Sequence, residues 1–278
     1  MKRRLFALSM LSPIALAACG GGSDDAPAPG PGPVLTTPQA NAAAAIKRAA
    51  SYMDEVVSYK GGYVWSYSPD LTQTFGEMEA KRTMLWLQPP GTSSVGHTYL
   101  DAYHATTDER LYEASDRTAK AVAAAQQSSG GWNYIYDFAG EESLKHWYDT
   151  IGKNGWRLEE FQHYYGNATF DDATTAVAAQ LMLRMYLEKK DPVYLASTEK
   201  AIKFIVDAQF GAQFGVADGG WPQRFPHSPN SVTAMPLPNA GQLPVGARAG
   251  MEDGDYTLHV TFNDDVMGEN IKFMTMCV

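Results

Sequence analysis

Five segments of the sequence place apolar residues at helical spacing, and strand-like alternation is scarce between them. In the first segment, Asn41 to Val57, apolar residues such as Ile46 and Met53 fall on one face and charged residues such as Arg48 on the other. This periodicity predicts amphipathic helices and an all-α fold. The other four segments run near Gly96 to Ala105, Leu111 to Gln126, Thr174 to Lys189 and Tyr194 to Gln209.

A short repeat indicates how the helices pair. The pattern Leu-Tyr-x-Ala-Ser at 111–115 recurs as Val-Tyr-x-Ala-Ser at 193–197, in each case between two helix-like segments. Self-similarity of this kind marks a supersecondary unit that stacks on its neighbours. We therefore predict helical hairpins, and hairpins that close into a ring form an α/α toroid.

A glycine pair followed by an aromatic residue comes after each predicted hairpin, at 130–132 and at 219–221, and an earlier relative lies at 61–63. Glycine pairs let the backbone turn sharply after a helix. We expect the aromatic ring to point into the cleft that the loops surround, where Trp221 would stack on a sugar. For Trp132, capping of the helix layer is an equal alternative.

Residues 1–18 have the features of a bacterial lipoprotein signal peptide. A positive start, Lys2 to Arg4, precedes an apolar stretch, Leu5 to Ala18, that is too short to span a bilayer. The stretch Leu16 to Gly20 resembles the lipobox, which would make Cys19 the lipid-bearing first residue of the mature protein. An ordinary signal peptide that ends by chance in cysteine is the alternative.

The rest of the chain divides into a tether and one domain. Residues 19–39 are mostly Gly, Ser, Asp, Ala and Pro, with almost nothing to bury, so a flexible tether is expected. Residues 40–278 suffice for one globular domain. Gly20 rather than Asp after the cysteine resembles lipoproteins of the outer membrane. Cys277 is the only other cysteine, so stability must come from packing and not from disulfides.

The charge of the mature chain limits its partners. Three of the 22 basic residues and none of the 31 acidic residues lie in residues 1–18, so the remainder has a net charge of −12. Nucleic acid is therefore an unsuitable partner. An acidic substrate would also be repelled unless a cation or a local basic patch intervenes.

Acidic residues open two of the predicted helices. Asp171 and Asp172 follow a Thr-Phe pair in the segment 159–175, and Asp264 follows Thr-Phe-Asn in the segment 259–267. Acids at a helix start are commonly caps, which is the structural alternative. In a toroid, two such loops at equivalent helix starts could bring oxygens together, and clustered hard oxygens favour calcium over zinc or copper.

A third segment, 218–226, combines an aromatic ring, an amide and a guanidinium in Trp221, Gln223 and Arg224. Arginine matches a carboxylate bidentately, so these residues suit a uronate sugar, which presents a carboxylate beside an apolar ring face. Pairing of Arg224 with a protein acid such as Asp218 is the alternative.

The segments GGWPQRFP and TFNDDVM, together with NATFDDATT upstream, resemble the family ten polysaccharide lyases, which are pectate lyases with an α/α toroid. The resemblance implies that Asp264 and either Asp171 or Asp172 hold Ca²⁺ and a substrate carboxylate. The choice between the last two stays open because their loop is one residue shorter than the family's pattern. By the same resemblance and the segment's chemistry, Trp221, Gln223, Arg224 and Asn263 are expected to bind polygalacturonate.

The resemblance also implies a mechanism and an omission. Removal of the C5 proton of a galacturonate leaves charge that spreads into the adjacent carboxylate, which calcium stabilises as the C4 oxygen leaves. The base implied by the family is an arginine C-terminal to the TFND motif, but no arginine follows Arg248. We therefore expect the base beyond residue 278, and an incomplete barrel that is inactive alone.

Two other functions fit the sequence. A glycoside hydrolase on the same toroid could use two carboxylates, such as Asp171 and Asp264, as acid and base without calcium. A surface lipoprotein that binds polysaccharide without cleaving it is the non-enzymatic alternative. Zinc hydrolase, GxSxG and phosphate-loop motifs are not found. Trp147 to Asp149, Glu77 and Glu79 are undecided between the cleft and simple packing.

Overall fold

The computed structural model describes residues 36–152, 166–210, 219–225 and 260–278. The predicted signal peptide and Cys19 lie outside these residues. Helices predominate in the described parts, so the prediction of a mainly helical protein is confirmed. None of these helices combines the length and apolar character needed to cross a membrane. The helices are α1 (Thr37–Tyr52, continued by a π-helical turn Met53–Val57), α2 (Thr92–Thr106), α3 (Glu109–Ala124), α4 (Glu141–Thr150), α5 (Thr174–Lys189), α6 (Pro192–Ala208) and α7 (Val266–Cys277).

The predicted hairpins are present, and they share one connection. Helices α2 and α3 pack together, as do α5 and α6. In each hairpin the first helix ends at a left-handed residue, Thr107 or Lys190. The next residue, Asp108 or Asp191, caps the second helix by accepting a hydrogen bond from a backbone amide. The repeat read from the sequence is therefore a true structural repeat.

Helix α5 lies at the centre of the packing. It contacts α2, α3, α6 and α7, and most of its side chains are buried. Gly96 permits the close approach of α2, because a β-carbon there would lie 2.6 Å from Leu181 Cδ2. The helices that carry the acidic loops, α5 and α7, are thus held against each other and against the first hairpin.

Two of the described helices, α4 and α7, lie outside the five segments of helical periodicity. Helix α4 buries Trp147 and Tyr148, which are adjacent and not three or four residues apart, and Glu141 and Glu142 lie in its first turn. Two neighbouring aromatic residues give no clear 3.6-residue period, so the helix leaves a weak signal. Both aromatic residues pack in the core. Of the two alternatives that the sequence left open for them, the cleft and simple packing, the structure shows packing.

Short strands connect the helices. They form one three-stranded and two two-stranded antiparallel sheets, each strand being only two or three residues long. Such lengths are too short to show alternation in the sequence. The strands are β1 (Ser66–Tyr67), β2 (Thr74–Phe75), β3 (Glu79–Ala80), β4 (Met84–Trp86), β5 (Ile135–Asp137), β6 (Ala168–Thr169) and β7 (Arg224–Phe225).

The three glycine-pair segments form the same backbone contact. In each, the carbonyl of the aromatic residue accepts a hydrogen bond from the segment that leads into α2, α5 or α7. We call each segment that leads into α2, α5 or α7, together with that helix, a unit. The three bonds are Trp86 N to Tyr63 O at 2.7 Å, Thr169 N to Trp132 O at 2.7 Å, and Thr261 N to Trp221 O at 3.0 Å.

Candidate active site

The loops before α5 and α7 have the same backbone conformation. Asp172 and Ala173 have φ values of 50° and 57°, and Asp264 and Asp265 have values of 51° and 57°. Left-handed residues other than glycine cost on the order of 1–3 kcal/mol each and cluster at functional sites. The similarity of the two motifs in sequence therefore extends to an uncommon and strained geometry.

The two loops touch each other. The amide of Ala173 donates to the carbonyl of Asp264 at 3.1 Å. The side chain of Asp264 also lies within hydrogen-bonding reach of the Asp171 carboxyl group. Asp171 is only 7% exposed, whereas Asp264 is exposed. An inner and an outer carboxylate from separate helix starts thus meet.

The acidic residues at the start of α5 do not cap it. No side chain caps this helix. The Asp171 carboxylate instead accepts a hydrogen bond from the hydroxyl group of Tyr134. The Asp172 carboxylate accepts one from Nε2 of Gln88 at 2.6 Å. The capping alternative is therefore not the arrangement observed, and both carboxylates face neighbouring loops.

Burial and, after it, mutual repulsion raise the pKa values of two of the carboxylates. Partial burial, together with the charges of Asp171 and Asp172, raises the pKa of Asp264 to about 6. Burial and the Asp171 charge raise the pKa of Asp172, and the hydrogen bond from Gln88 opposes this increase. The site therefore holds its negative charge at a cost, which a bound cation would relieve.

Arg224 supplies one positive charge from within the protein. Its side chain is fully buried, its Nη2 lies 3.7 Å from Oδ2 of Asp171, and its guanidinium lies 5.0 Å from the ring centre of Tyr134. The β6–β7 pairing sets Arg224 opposite Thr169, which explains its place beside the acidic loop. Arg224 is thus a support for Asp171. The suggested partner Asp218 lies outside the described residues.

Trp221 and Trp132 are both buried against the second helix of a hairpin. The indole of Trp221 donates to Ile205 O at 2.8 Å, and that of Trp132 donates to Val122 O at 2.7 Å. Trp221 is only 6% exposed. This is the capping arrangement that the sequence left open for Trp132. So little ring surface does not favour the predicted stacking of Trp221 on a sugar.

The two predicted amide ligands lie in different surroundings. Gln223 is 1% exposed, and its backbone carbonyl accepts a hydrogen bond from the backbone amide of Phe170 at 2.8 Å. Gln223 therefore joins the start of β7 to the acidic loop. Asn263 is exposed, and its side-chain amide donates to Asp264. Of the two, Asn263 is the one that a dissolved ligand can reach.

The oxygen donors fit a hard divalent cation. Oδ1 of Asp171 is buried, and no donor contacts it among the described residues. With Asp172 and Asp264 it offers the carboxylate oxygens that calcium prefers. No three acidic, histidine or cysteine side chains in the described parts form a ready cage. Carboxylates that repel one another are brought together by a cation or by a shared proton.

Sequence reasoning missed two residues of this site, Gln88 and Tyr134. Tyr134 lies two residues after Trp132, and Gln223 lies two residues after Trp221. Alignment of the two glycine-pair segments could therefore have found Tyr134. Gln88 lies in no motif. Its contact with Asp172 spans 84 residues of sequence and depends wholly on the fold.

Comparison with known proteins adds to this geometry. Residues 145–277 match the family model of pectic acid lyases. The matched segment belongs to the pectic acid lyase family. Both acidic loops and Arg224 lie within this pectic acid lyase segment.

A search of solved structures gives a more distant similarity. The chain is similar to a mutant of a family 10 polysaccharide lyase from Cellvibrio cellulosa, solved in complex with trigalacturonic acid. The two chains share 17% identity with a TM-score of 0.41, over 69% of this chain and 57% of the other. The chain thus spans little more than half the length of that structure. Comparison with curated proteins finds no match.

Proposed function

We propose that the protein is a pectate lyase that cleaves polygalacturonate by calcium-assisted β-elimination. The observation that carries this proposal is the meeting of Asp171, Asp172 and Asp264 from two equivalent helix starts inside the pectic acid lyase segment. The family match supports polysaccharide lyase chemistry, and the oxygen-rich site supports calcium.

A cation also answers the problem of charge. The mature chain has a net charge of −12, and polygalacturonate is a polyanion. Calcium bound at the acidic residues would join protein to substrate and stabilise the charge that develops on the substrate carboxylate. Asp171, Asp172 and Asp264 would hold it, and hard carboxylate oxygens are its usual ligands.

The residues around the acids have supporting tasks. Tyr134 and Arg224 fix the buried Asp171 carboxylate in one orientation by a hydrogen bond and an ion pair. Asp264 and Asn263 form the exposed edge, where a sugar carboxylate or hydroxyl group can be met. The proton acceptor stays a prediction, which is an arginine C-terminal to the TFND motif.

Two further features belong to this proposal. The α2–α3 and α5–α6 hairpins, with α7 packed against α5, support an α/α toroid as the architecture. The signal peptide and Cys19 support a lipid anchor, with the outer membrane as the site of residence. The protein would then meet pectate outside the inner membrane.

A lyase assay tests the proposed reaction. The full chain is incubated with polygalacturonate in calcium and in EDTA, and the ultraviolet absorbance of a C4=C5 unsaturated uronate is followed. We expect the polymer to bind only with calcium, and any unsaturated product to form only with calcium. Asp264→Asn should abolish both, while Asp265→Asn, next to it, should retain them.

Other results would select the alternatives. Cleavage to saturated products, unaffected by EDTA, would contradict elimination and indicate a glycoside hydrolase. Binding of the polymer without turnover, by a chain that carries the predicted arginine, would indicate a polysaccharide-binding lipoprotein.

A further inference from the structure

Gln88, on the loop between β4 and α2, contacts the acidic site from outside its motifs. Its side-chain Nε2 lies 2.6 Å from Oδ2 of Asp172 and 3.3 Å from Oε2 of Glu77. Its Oε1 accepts a hydrogen bond from the indole of Trp86 at 2.8 Å. Because an indole can only donate, Trp86 determines which end of the amide faces Asp172. The residue is 5% exposed, so water competes little.

Gln88 occupies a repeated position. Each unit has one backbone amide that donates to the carbonyl of the aromatic residue after a glycine pair. Two residues after that amide the three units have Gln88, Asp171 and Asn263. The contacts repeat as well, because Gln88 reaches Asp172 of the next unit just as Asp171 reaches Asp264. The first pair is an amide with a carboxylate and is satisfied by a hydrogen bond. The second is two carboxylates and needs a cation or a proton.

We propose that Gln88 is a positioning residue for the proposed cation site, in that its amide holds the Asp172 carboxylate beside Asp171 and Asp264. The amide fixes the orientation of the carboxylate without neutralising its charge. Glutamate at this position would repel Asp172, and an apolar residue would leave it only the longer hydrogen bond, 3.4 Å, from the hydroxyl group of Tyr134. The inference rests on the proposed function, because it assigns Asp172 to the cation.

Calcium titration of the full chain by calorimetry measures the effect. Outer partners of metal ligands typically contribute about 10- to 100-fold in affinity, so Gln88→Leu should weaken calcium binding by about 10-fold or more. Trp86→Phe removes the indole donor and should weaken binding in the same direction but less. Gln73→Leu is the matched control, because Gln73 is exposed on the β1–β2 turn and should bind as wild type.

A metal-free measurement tests the contact itself. Melting temperatures of Gln88→Leu, Asp172→Asn and the double variant are compared in EDTA. If Gln88 holds Asp172, the two losses are not additive, and the double variant melts close to the more affected single variant. Additive losses would overturn the proposal.

The combined outcomes separate the two claims. Non-additive losses with weaker calcium binding support the positioning role. Non-additive losses with calcium affinity unchanged in Gln88→Leu overturn that role. If the wild-type chain binds no calcium while the losses remain non-additive, the proposed function fails and the Gln88–Asp172 contact stands.

Discussion

At the scale of single residues, Asp264 is where the proposed cation would compete with protons. Its pKa is raised to about 6, whereas an aspartate in an unfolded chain titrates near 3.9. Between these two pKa values the unfolded chain has released the proton and the folded protein still holds it. Ionisation in the folded state is therefore unfavourable, and stability falls as pH rises through this window.

The pH dependence of stability follows from this difference. In EDTA, the melting temperature should decrease as pH rises from about 4 to about 6 and then level off, other groups being constant. Saturating calcium should suppress the decrease, because it neutralises the carboxylates. Melting curves of wild type and Asp264→Asn test this prediction. The variant should lack this part of the decrease, and the same decrease in both proteins would contradict the assignment.

Arg224 should be costly to remove. Loss of one partner from a buried ion pair leaves an uncompensated charge, which costs about 3–5 kcal/mol. Arg224→Met should therefore lower the free energy of unfolding by this amount in urea titrations. Lys203→Met is the control, because Lys203 and its partner Asp207 on α6 are both largely exposed, and it should cost about 1 kcal/mol or less. Equal costs would mean that Arg224 does not compensate Asp171.

At the scale of elements, the glycine pairs fix how each hairpin is followed by the next unit. Gly130 has a φ of 102°, and a β-carbon there would lie 2.4 Å from Lys200 O. Gly140 has a similar φ of 104°, but nothing lies within 4 Å of such a carbon. The two positions thus share a positive φ and differ in close approach.

Alanine substitutions at these positions separate the two effects. Gly140→Ala should cost about 1–3 kcal/mol in the free energy of unfolding, because only its backbone conformation, with φ of 104° and ψ of 175°, is penalised. Gly130→Ala should cost at least about 1–3 kcal/mol more, as in overpacked cores. Urea unfolding of both variants checks the difference. Similar costs would show that the contact with α6 is not tight.

The elements also show what the sequence can predict. Helices α2, α3, α5 and α6 were predicted within a few residues, because each has a regular apolar face and packing against neighbours agrees with it. The left-handed pairs before α5 and α7 could not be predicted. Alanine and aspartate do not favour that conformation in isolation, and a contact between the loops, from Ala173 to Asp264, accompanies it.

The candidate site was only partly predictable for the same reason. The motifs predict that the three aspartates share a site, and in the structure the charges of Asp171 and Asp172 act on Asp264. They also suggested that Arg224 and Trp221 face a ligand, whereas both are buried in the fold. Sequence reveals the chemistry of a side chain, but its direction depends on partners from distant elements such as Tyr134 and Gln88.

At the scale of the whole molecule, net charge and local site have opposite effects on a polyanion. Long-range repulsion from the mature chain weakens encounter, and salt screens it with a Debye length of about 8 Å at physiological ionic strength. The cation acts only at the site. Oligogalacturonate binding should therefore require calcium at all salt concentrations, and moderate salt should weaken it little or even strengthen it.

Binding isotherms with trigalacturonate at low and moderate salt test this expectation. With calcium absent, no binding should be detected at either salt concentration. Tight calcium-free binding that salt abolishes would instead indicate a basic patch, and would contradict a cation-bridged site.

The most direct test is a calcium titration of the full chain and of its aspartate variants. We predict one calcium site per chain, weakened by more than about 10-fold in both Asp171→Asn and Asp264→Asn. Asp265→Asn, which alters the neighbouring acid, should bind calcium as the wild type does. Full retention of the site in Asp171→Asn or in Asp264→Asn would contradict the claim that two helix starts share one cation.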